Sequence, residues 1–429
     1  MDVGMLCMKG VSSFGNGDPV RVICEAQGME VRMYDGLSSQ MACLQAYYKH
    51  RSKMVAQLDA WIDQYVDNVS SSRGTVGRGA YMRGCRLSYG FSAEHSLFFA
   101  NCEMAEGEAV SVFAGPFAVS HHKSTLLIAG HFSFMNAGSG SNQSNHLYKT
   151  GPVHHGVLER GCKTGSGSYV MWPARAGAFS VIIGKHHSHF DTTDFPFSYL
   201  IEKEGKSVLV PAANLCTSGL ARDEHKWPQR DGRTKEHRTD RVHFDLWSPY
   251  VMQKVARAIQ VLKHLCSSGW YKTYEYQGAL IPKEALRKGI ERYQLAMDCY
   301  WGIASGDRPH SKSRSQLKGV GECVKWLDLG GMFVTEMAMN NLISDIETGR
   351  VDSLQAIEKQ FDSIFSLYQD DKWQWHKLFF EEMNGMAWST ADEEYLINSV
   401  RASWRAFEDM IKEDAAKDTA LSQLYKDLS

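Results

Sequence analysis

Residues 156–186 read GVLERGCKTGSGSYVMWPARAGAFSVIIGKH, and this stretch decides the fold. One set of positions stands six apart, at Leu158, Thr164, Val170, Ala176 and Ile182. A second set of small residues follows the first four of these by four positions, at Cys162, Ser168, Ala174 and Ser180. In a coil with a narrow triangular interior, one side chain per hexapeptide fills the inside and a small residue lets the backbone turn. The pattern predicts a left-handed parallel β-helix of hexapeptide type from about Phe98 to His186.

The same hexapeptide register extends backward through less regular sequence. It marks Phe98, Met104, Val110, Ile128 and Phe134 as further inward positions. Glu108 and His122 interrupt the register, and we interpret them as loops or coil irregularities.

The rest of the chain predicts a mixed β and α protein in four parts. Residues 1–76 carry short strands near 20–24 and 29–33, then one long amphipathic helix that starts at Ser39 and ends at the serines 70–72. Residues 77–190 form the β-helix, and residues 191–245 an irregular arm that packs on it. Residues 246–429 form an α-helical region, with one helix capped by Ser248 and others at about 283–301, 322–347, 353–384 and 391–427.

Composition excludes several classes of partner. The net charge of -2 over 429 residues gives no field that attracts a nucleic acid or an anionic membrane. No apolar run reaches the length of a membrane span, and the start MDVGMLCMKG lacks a secretory signal, so we expect a cytoplasmic protein. The ten cysteines include no C-x-x-C pair, and the chain has no G-x-x-x-x-G-K-[ST], G-x-S-x-G or H-E-x-x-H motif.

A longer run also carries a resemblance to a known family. IAGHFSFMNAGSGSNQSNHLYKTGPVHHGVLERGCKTGSGSYVMWPARAGAFSVIIGKHHSHFDTTDFPFSYLIEKE at 128–204, with FAGPFAVSHHKS at 113–124 and KWPQRDGR at 226–233, resembles a bacterial family of unknown function. That family is assigned to the trimeric, acyltransferase-like β-helix superfamily. The resemblance extends over most of the chain and is strongest from Phe98 to Asp231. Members are usually longer at the N-terminus, so we expect this chain to start late; the resemblance implies a fold and a trimer, and no known reaction.

Histidines supply the candidate catalytic residues. Nine of the 17 histidines fall between residues 98 and 190 of the predicted β-helix, and imidazole is the usual general base at neutral pH. In related acyltransferases a histidine deprotonates the acceptor while an acyl thioester lies in a groove between coils of two subunits. By this fold-level analogy the candidates are His121, His122 and His155, with His154 beside them. Structural histidines stacked on successive coils are the alternative.

A metal site is a third interpretation of the histidines. His186, His187 and His189 lie close to Asp191 in the sequence, but neighbouring strand residues point to opposite faces. We therefore predict no metal.

A polar run within one coil supplies candidate ligand-binding residues. Short amides and hydroxyls next to an aromatic residue suit the polar edge of a sugar or nucleotide, and cations one coil later suit a phosphate or carboxylate. The candidates are Asn136, Asn142, Asn145, His146, Lys149, Arg160 and Lys163. A protruding loop, an internal asparagine ladder or a surface ion-pair cluster would explain the same residues.

Two functions therefore stay open. The first is a transferase that acts on a sugar, nucleotide-sugar or similar polar metabolite, with acyl-CoA as the candidate donor and a homo-oligomer, a trimer, as the expected assembly. The second is a non-catalytic β-helix that serves as a scaffold, binds a sugar-like ligand or organises an assembly. The aromatic and methionine residues of the helical half would then form an interface, among them Trp373, Trp375, Phe379, Phe380 and Met383.

Overall fold

A parallel β-solenoid of about six turns forms the centre of the protein, in a computed structural model. The structure describes residues 21–22, 31–32, 34, 36–70, 81–82, 85–94, 96–145, 155–233, 239–306, 315, 317, 323–385, 388 and 400–417. The predicted ligand residues His146 and Lys149, and the nearby His154, lie outside the described residues.

Within the described residues, two short strands and two helices precede the solenoid. Strands β1 (Arg21–Val22) and β2 (Val31–Arg32) pair antiparallel, within the two segments predicted as strands. Helix α1 (Ser39–Tyr47) is capped by Ser38, and helix α2 (Ser52–Ser70) follows it.

The predicted single long helix is therefore two helices. The turn at 48–51 separates them, and no apolar side chain occurs between Tyr48 and Met54 to hold a continuous helix against the core. Arg51 in this turn instead binds Glu347, with Nε 2.9 Å from Oε1.

The solenoid is built from short strands. In chain order they are β3 (Tyr81–Met82), β4 (Arg86–Ser88), β5 (Ser92–Glu94), β6 (Leu97–Phe98), β7 (Glu103–Ala105), β8 (Gly107–Val110), β9 (Phe113–Ala114), β10 (Val119–Ser120), β11 (Thr125–Ile128), β12 (Gly130–Phe132), β13 (Asn136–Ala137), β14 (Asn142–Ser144), β15 (Gly156–Leu158), β16 (Lys163–Thr164), β17 (Tyr169–Met171), β18 (Arg175–Ala176), β19 (Val181–Ile183), β20 (Lys185–His186), β21 (Asp191–Thr192) and β22 (Tyr199–Lys203).

Parallel pairing stacks these strands into three faces. Face A contains β4, β7, β10, β13, β16, β19 and β22; face B contains β5, β8, β11, β14, β17 and β20; face C contains β3, β6, β9, β12, β15, β18 and β21. The strand β23 (Lys206–Val210) then forms an antiparallel hairpin with β22 and extends face A.

The interior confirms the register read from residues 156–186. Leu158, Thr164, Val170, Ala176 and Ile182 are all buried, and so are the small residues Cys162, Ser168, Ala174 and Ser180. On face A, Lys163 pairs with Val181 and Val181 pairs with Tyr199, so each of these coils is 18 residues long.

The backward extension of the register is correct for Phe98 and Met104 and wrong for Val110 and Ile128. Their neighbours Ala109 and Leu127 are fully buried inside the solenoid, whereas Val110 and Ile128 are only half-buried. The slip begins between the buried Met104 and Ala109, where the repeat is shorter than a hexapeptide. Because side chains alternate along a strand, a shift by a single position turns the predicted inward residues to the opposite side.

Shortened and lengthened coils lie side by side in this part of the solenoid. Glu103 pairs with Val119 and Val119 with Asn136, so both coils are shorter than three hexapeptides. The next coil, from Asn136 to its partner Lys163, is longer than three hexapeptides. The interior is nevertheless continuous, because each coil keeps one strand on each face.

A column of residues with left-handed φ forms the corner between faces C and A. Each member after Asn101 donates its backbone N–H to a carbonyl of the preceding coil, and the rings of Phe117 and Phe134 stack at 5.0 Å, as do those of Phe179 and Phe197 at 5.2 Å. Gly161 occupies the place between Phe134 and Phe179 in this column, where no ring would fit. The column is Asn101, Phe117, Phe134, Gly161, Phe179 and Phe197.

The segment predicted as an irregular arm is partly regular. It contains the last solenoid strands β21 and β22, the whole β22–β23 hairpin and helix α3 (Ser218–Gln229), which is capped by Thr217. Trp227 of α3 packs on both Phe134 and Phe179, the two rings of the column on either side of Gly161.

The C-terminal region is mainly helical, as predicted, with two added hairpins. Its elements are α4 (Pro249–Ser267), β24 (Thr273–Tyr276), β25 (Ala279–Pro282), α5 (Lys283–Gly306), β26 (Trp326–Leu329), β27 (Met332–Thr335), α6 (Glu336–Glu347), α7 (Leu354–Asn384) and a helix over 400–417. The predicted helix at 322–347 is wrong in its first half, because Gly330 and Gly331 take positive φ and turn the chain into the β26–β27 hairpin.

Two hydrophobic clusters hold these parts together. The first joins the solenoid interior to α3, α4 and α5. The second joins α1 and α2 to β27, α6 and α7, and it includes Leu97, Phe99 and Phe113 from the first coils. The helices therefore cover the beginning of face C.

Candidate functional site

A polar strip runs along face A, parallel to the solenoid axis. Arg86, Glu103, Val119, Asn136 and Lys163 are paired neighbours in successive coils. The alternate residues Leu87 and Met104 belong to the core, so the strip points outward. Two of its members, Asn136 and Lys163, are predicted ligand-binding residues, and they are direct neighbours although a long coil separates them in the chain.

His121 lies beside this strip at the corner after β10. Its Nε2 is 2.7 Å from Oε2 of Glu103, and both side chains are about half exposed, at 46% and 53%. An ionised carboxylate can only accept, so Nε2 donates and the lone pair of the neutral ring is on Nδ1. No described residue hydrogen-bonds Nδ1. The pair therefore has the arrangement of a general base oriented by an acid.

The His121–Glu103 pair lines a cavity of about 420 Å³. This volume is in the range of small-molecule sites. The cavity also presents a cation, a second carboxylate and an exposed ring, from Arg86, Glu106 and Tyr89. It is open to solvent, and its lining suits a polar, charged ligand.

The other predicted catalytic histidines lie elsewhere. His122 is exposed at the same corner as His121, and its backbone carbonyl accepts from Thr125. His155 is half-buried just before β15, on the approach to face C. The structure thus brings His121 and His122 together and separates His155 from them.

The predicted polar run turns a corner of the solenoid. Asn136 is exposed on face A, whereas Asn142 is half-buried on face B and its Oδ1 accepts from Ser144. Asn145 is buried directly after β14. These amides therefore do not face one common ligand.

The two predicted cations are engaged by the helices. Lys163 forms an ion pair with Asp223 of α3. Arg160 is buried and donates from Nε to Asp328, 2.9 Å away, and from its two terminal nitrogens to the carbonyls of His243 and Gly331. These contacts give Arg160 a structural role between the solenoid and the β26–β27 hairpin; ligand binding by Arg160 and Lys163 stays a prediction.

The surroundings of Arg160 keep a nearby histidine neutral. His243 accepts the N–H of Phe333 at Nδ1, and its ring stacks on Phe365 and Phe333. Burial lowers the pKa of His243 to about 3, and the positive charges of Arg160 and Lys372 act in the same direction against the attraction of Asp245. This histidine is therefore part of the buried interface.

Sequence reasoning missed Glu103, Arg86 and Tyr89. The register did mark Met104 as inward, which places Glu103 outward. The proximity of Glu103 to His121 could not be predicted from the sequence, because it depends on a coil that is shorter than the regular coils of the solenoid.

The described residues contain neither a cluster of metal ligands nor a membrane-spanning helix. In the part of the chain that the structure describes, no three His, Cys, Asp or Glu side chains converge as ligands for one ion. His186 turns inward and is 2.8 Å from Oγ of Ser207, while His187 is exposed. Within the described residues, none of the helices combines the length and the apolar character needed to cross a bilayer.

Comparison with known families assigns the chain to one of them. A family model described as Domain of unknown function (DUF4954) matches residues 1–87 and 79–266, which include the whole solenoid. The chain belongs to this family. A second model, Domain of unknown function (DUF6819), matches residues 312–424 of the helical region.

A relative of this DUF4954 protein is an uncharacterized protein of Treponema pallidum (strain Nichols). The two are 24% identical over 308 residues, which cover 62% of this chain and 41% of the relative. The chain thus matches less than half the length of that relative.

Proposed function

We propose that this DUF4954 protein is an acyltransferase in which His121, oriented by Glu103, is the general base. The observation that carries the proposal is the 2.7 Å contact between Nε2 of His121 and Oε2 of Glu103 at a cavity of about 420 Å³. Proton transfer by a positioned histidine accelerates such reactions by roughly 10²–10⁴-fold.

The solenoid supports the finer assignment to the left-handed hexapeptide-repeat class. Coils of three hexapeptides, with buried aliphatic and small side chains repeating once per hexapeptide, fit that class. With it we propose a trimer in the cytoplasm, with sites at the seams between subunits.

The proposed reaction transfers an acyl group from a thioester to an alcohol or amine. Nδ1 of His121 takes the proton of the acceptor as its oxygen or nitrogen attacks the thioester carbonyl. The tetrahedral intermediate then collapses, the carbon–sulfur bond breaks, and the imidazolium returns its proton to the leaving thiolate. Glu103 keeps the ring in the tautomer that leaves Nδ1 free, and stabilises the imidazolium between the two steps.

The strip on face A gives the proposal its substrate class. Neighbouring strands of a sheet are separated by about 4.8 Å. Arg86 and Lys163 lie at the two ends of the strip, with Glu103, Val119 and Asn136 between them. Four strand separations therefore lie between Arg86 and Lys163. An elongated donor such as acyl-CoA, or a nucleotide-sugar acceptor, matches a strip of that length. Arg86, at the cavity, suits a phosphate of such a ligand because a guanidinium binds phosphate through two parallel hydrogen bonds.

The assembly alternative finds less support in the helical half. Trp373, Trp375, Phe379 and Phe380 are buried in the core, and Met383 packs against it. An assembly surface would therefore have to use other residues.

The test is turnover of a panel of acyl-CoAs with a panel of nucleotide-sugars and sugars, measured as release of the free thiol of CoA. We expect His121→Ala to lower kcat by roughly 10²–10⁴-fold. Glu103→Gln is expected to give a smaller loss in kcat, since the base remains but loses its orientation. The control is His264→Ala, which removes an exposed histidine of α4. Absence of turnover with every pair, or full activity of His121→Ala, would overturn the proposal.

A further inference from the structure

Face C changes from covered to open along the solenoid. The outward residues of this face are paired in the order Leu97, Phe113, His131, Val157 and Arg175. Leu97 and Phe113 are fully buried under the helices, His131 and Val157 are half-buried, and the side chain of Arg175 is 53% exposed. The layer of helices therefore ends over His131, and face C is more exposed beyond this edge. We call the edge at His131 the step.

Tyr47, the last residue of α1, forms the edge of this step. Its hydroxyl is 2.7 Å from Nε2 of His131, and the two rings meet edge to face at 5.6 Å. Burial raises the pKa of Tyr47 well above its usual value, so the hydroxyl keeps its proton and is able to donate it to Nε2. Burial lowers the pKa of His131 to about 4, so the ring is neutral, and with Tyr47 donating to Nε2 its single N–H is on Nδ1.

The Nδ1–H of His131 is available to a ligand. Among the described residues it has no hydrogen-bond partner, and His131 is only half-buried at the step. A neutral imidazole N–H held in one tautomer is a donor for an oxyanion or a carbonyl.

Arg175 supplies a positive charge to the same place. It lies two coils beyond His131, about 10 Å away along the face, with only Val157 between them. Its positive charge acts on both residues: it opposes the rise in the pKa of Tyr47 and adds to the fall in the pKa of His131. Its Nε is 3.3 Å from Asp191, whose Oδ1 also accepts from the N–H and the hydroxyl of Thr193. Asp191 therefore keeps two partners when the guanidinium turns toward a ligand.

We propose that His131 and Arg175 form an oxyanion-binding site at this step, with Tyr47 as the positioning residue that fixes the histidine tautomer. The ligand is a small metabolite with a carboxylate or a phosphate group. Arg175 pairs with the charge, and Nδ1–H of His131 donates to one oxygen. Val157 gives the floor between them an apolar surface for the adjoining carbon atoms. This site lies on face C, separate from the His121 site on face A, and does not depend on acyl transfer.

The test uses acetate and inorganic phosphate as probes with the full chain. Binding is measured by isothermal titration calorimetry, and the histidine ring nitrogens by NMR of protein labelled with ¹⁵N at histidine. We expect the spectrum of the free protein to show His131 as the Nδ1–H tautomer. Saturable binding of acetate would assign a carboxylate ligand, and binding of phosphate alone a phosphate ester.

Variants separate the site from general attraction of anions. Arg175→Gln is expected to weaken probe binding by about 10-fold or more. Arg257→Gln is the matched control, because Arg257 on α4 is similarly exposed and its Nε lies 3.5 Å from Asp194. The affinity of the Arg257→Gln protein for the probe is expected within about 2-fold of the wild type. Tyr47→Phe is expected to shift His131 toward the Nε2–H tautomer and to weaken binding, which a purely structural tyrosine would not do.

Several outcomes would overturn the site. They are no saturable binding of either probe, equal losses in Arg175→Gln and Arg257→Gln, and an unchanged tautomer in a folded Tyr47→Phe protein.

Discussion

Nε of Arg160 lies 2.9 Å from Oδ2 of Asp328, and this ion pair joins the corner of the solenoid to the β26–β27 hairpin. The side chains are 2% and 11% exposed. Arg160 is also held between the rings of Phe134 and Phe333, with 4.4 Å and 4.2 Å to their centres. The helical region is thus fixed to the solenoid through a guanidinium whose three nitrogens each donate a hydrogen bond.

Removal of the carboxylate should strongly destabilise the protein. In Asp328→Ala the charge of Arg160 stays buried without its partner, and we expect a loss of about 3–5 kcal/mol in the free energy of unfolding. Urea denaturation measures this. The control is Glu284→Ala, whose partner Lys288 is 3.6 Å away at the surface, with an expected change of at most about 0.5 kcal/mol. Similar small losses in both variants would contradict a structural role for the pair.

Gly161 is required by the ring column at the corner of faces C and A. A Cβ at this position would lie 2.2 Å from Cδ1 of Phe179, at φ +74°. Gly167 has φ +69° and no atom within 4 Å of its Cβ direction, so Gly167→Ala has the backbone strain without the clash. We expect Gly161→Ala to be less stable than Gly167→Ala by about 1–3 kcal/mol in thermal or urea unfolding. Equal stability would mean that the column repacks freely.

A buried histidine should contribute to acid sensitivity. His376 is fully buried among aromatic rings, among them Trp373 and Trp388, and neither ring nitrogen has a hydrogen-bond partner in the described structure. Burial lowers the pKa of His376 to about 3, below the unfolded value of 6.5. The contribution of His376 to the free energy of unfolding is therefore present above pH 6.5 and is lost as the pH falls toward 3.

His376→Phe should reduce this loss. We expect the fall in unfolding free energy from pH 7 to pH 5 to be smaller than in the wild type by about 2 kcal/mol. His264→Phe, at an exposed position of α4, serves as the control and should leave the pH dependence unchanged. An unchanged slope in His376→Phe would refute the assignment.

The contribution of Glu224 of α3 to stability should have the opposite pH dependence. Burial, with a further effect of the negative charge of Asp245, raises the pKa of Glu224 to about 7 from 4.5. The folded state binds its proton more tightly than the unfolded state, so stability falls as the pH rises from 4.5 to 7. Glu224→Gln is expected to raise the urea midpoint at pH 8 relative to the wild type and to change it little at pH 4. No gain at pH 8, or the same gain in the exposed control Glu284→Gln, would contradict this.

Much of the solenoid could be predicted because its last coils are regular. The positions from Leu158 to Ile182 keep one register because these coils are 18 residues long, a multiple of six, and the predicted inward positions are buried. Val110 and Ile128 were assigned to the wrong side, because nothing in the sequence marks the coils that are shorter than this. The β26–β27 hairpin was taken for a helix since its apolar residues also suit a buried helix; Gly330 and Gly331 were the signal for a turn.

The candidate site was harder to predict than the fold. His121 was a candidate from its residue type alone, whereas its partner Glu103 follows only from the coil length. Asn136 and Lys163 are neighbours only because the long coil between them returns to the same face. Tyr47 and His131 are distant in the sequence and meet through the packing of α1 on face C, a contact that no local pattern indicates.

The most direct test of the proposed acyl transfer is native mass spectrometry of the purified chain with a panel of acyl-CoAs, for the wild type and for Arg86→Gln. We predict that the wild type retains one acyl-CoA mass per subunit, and that Arg86→Gln, which lacks the cation at the cavity, loses it. A wild type that retains no acyl-CoA, or retention that is equal in both proteins, would contradict the account.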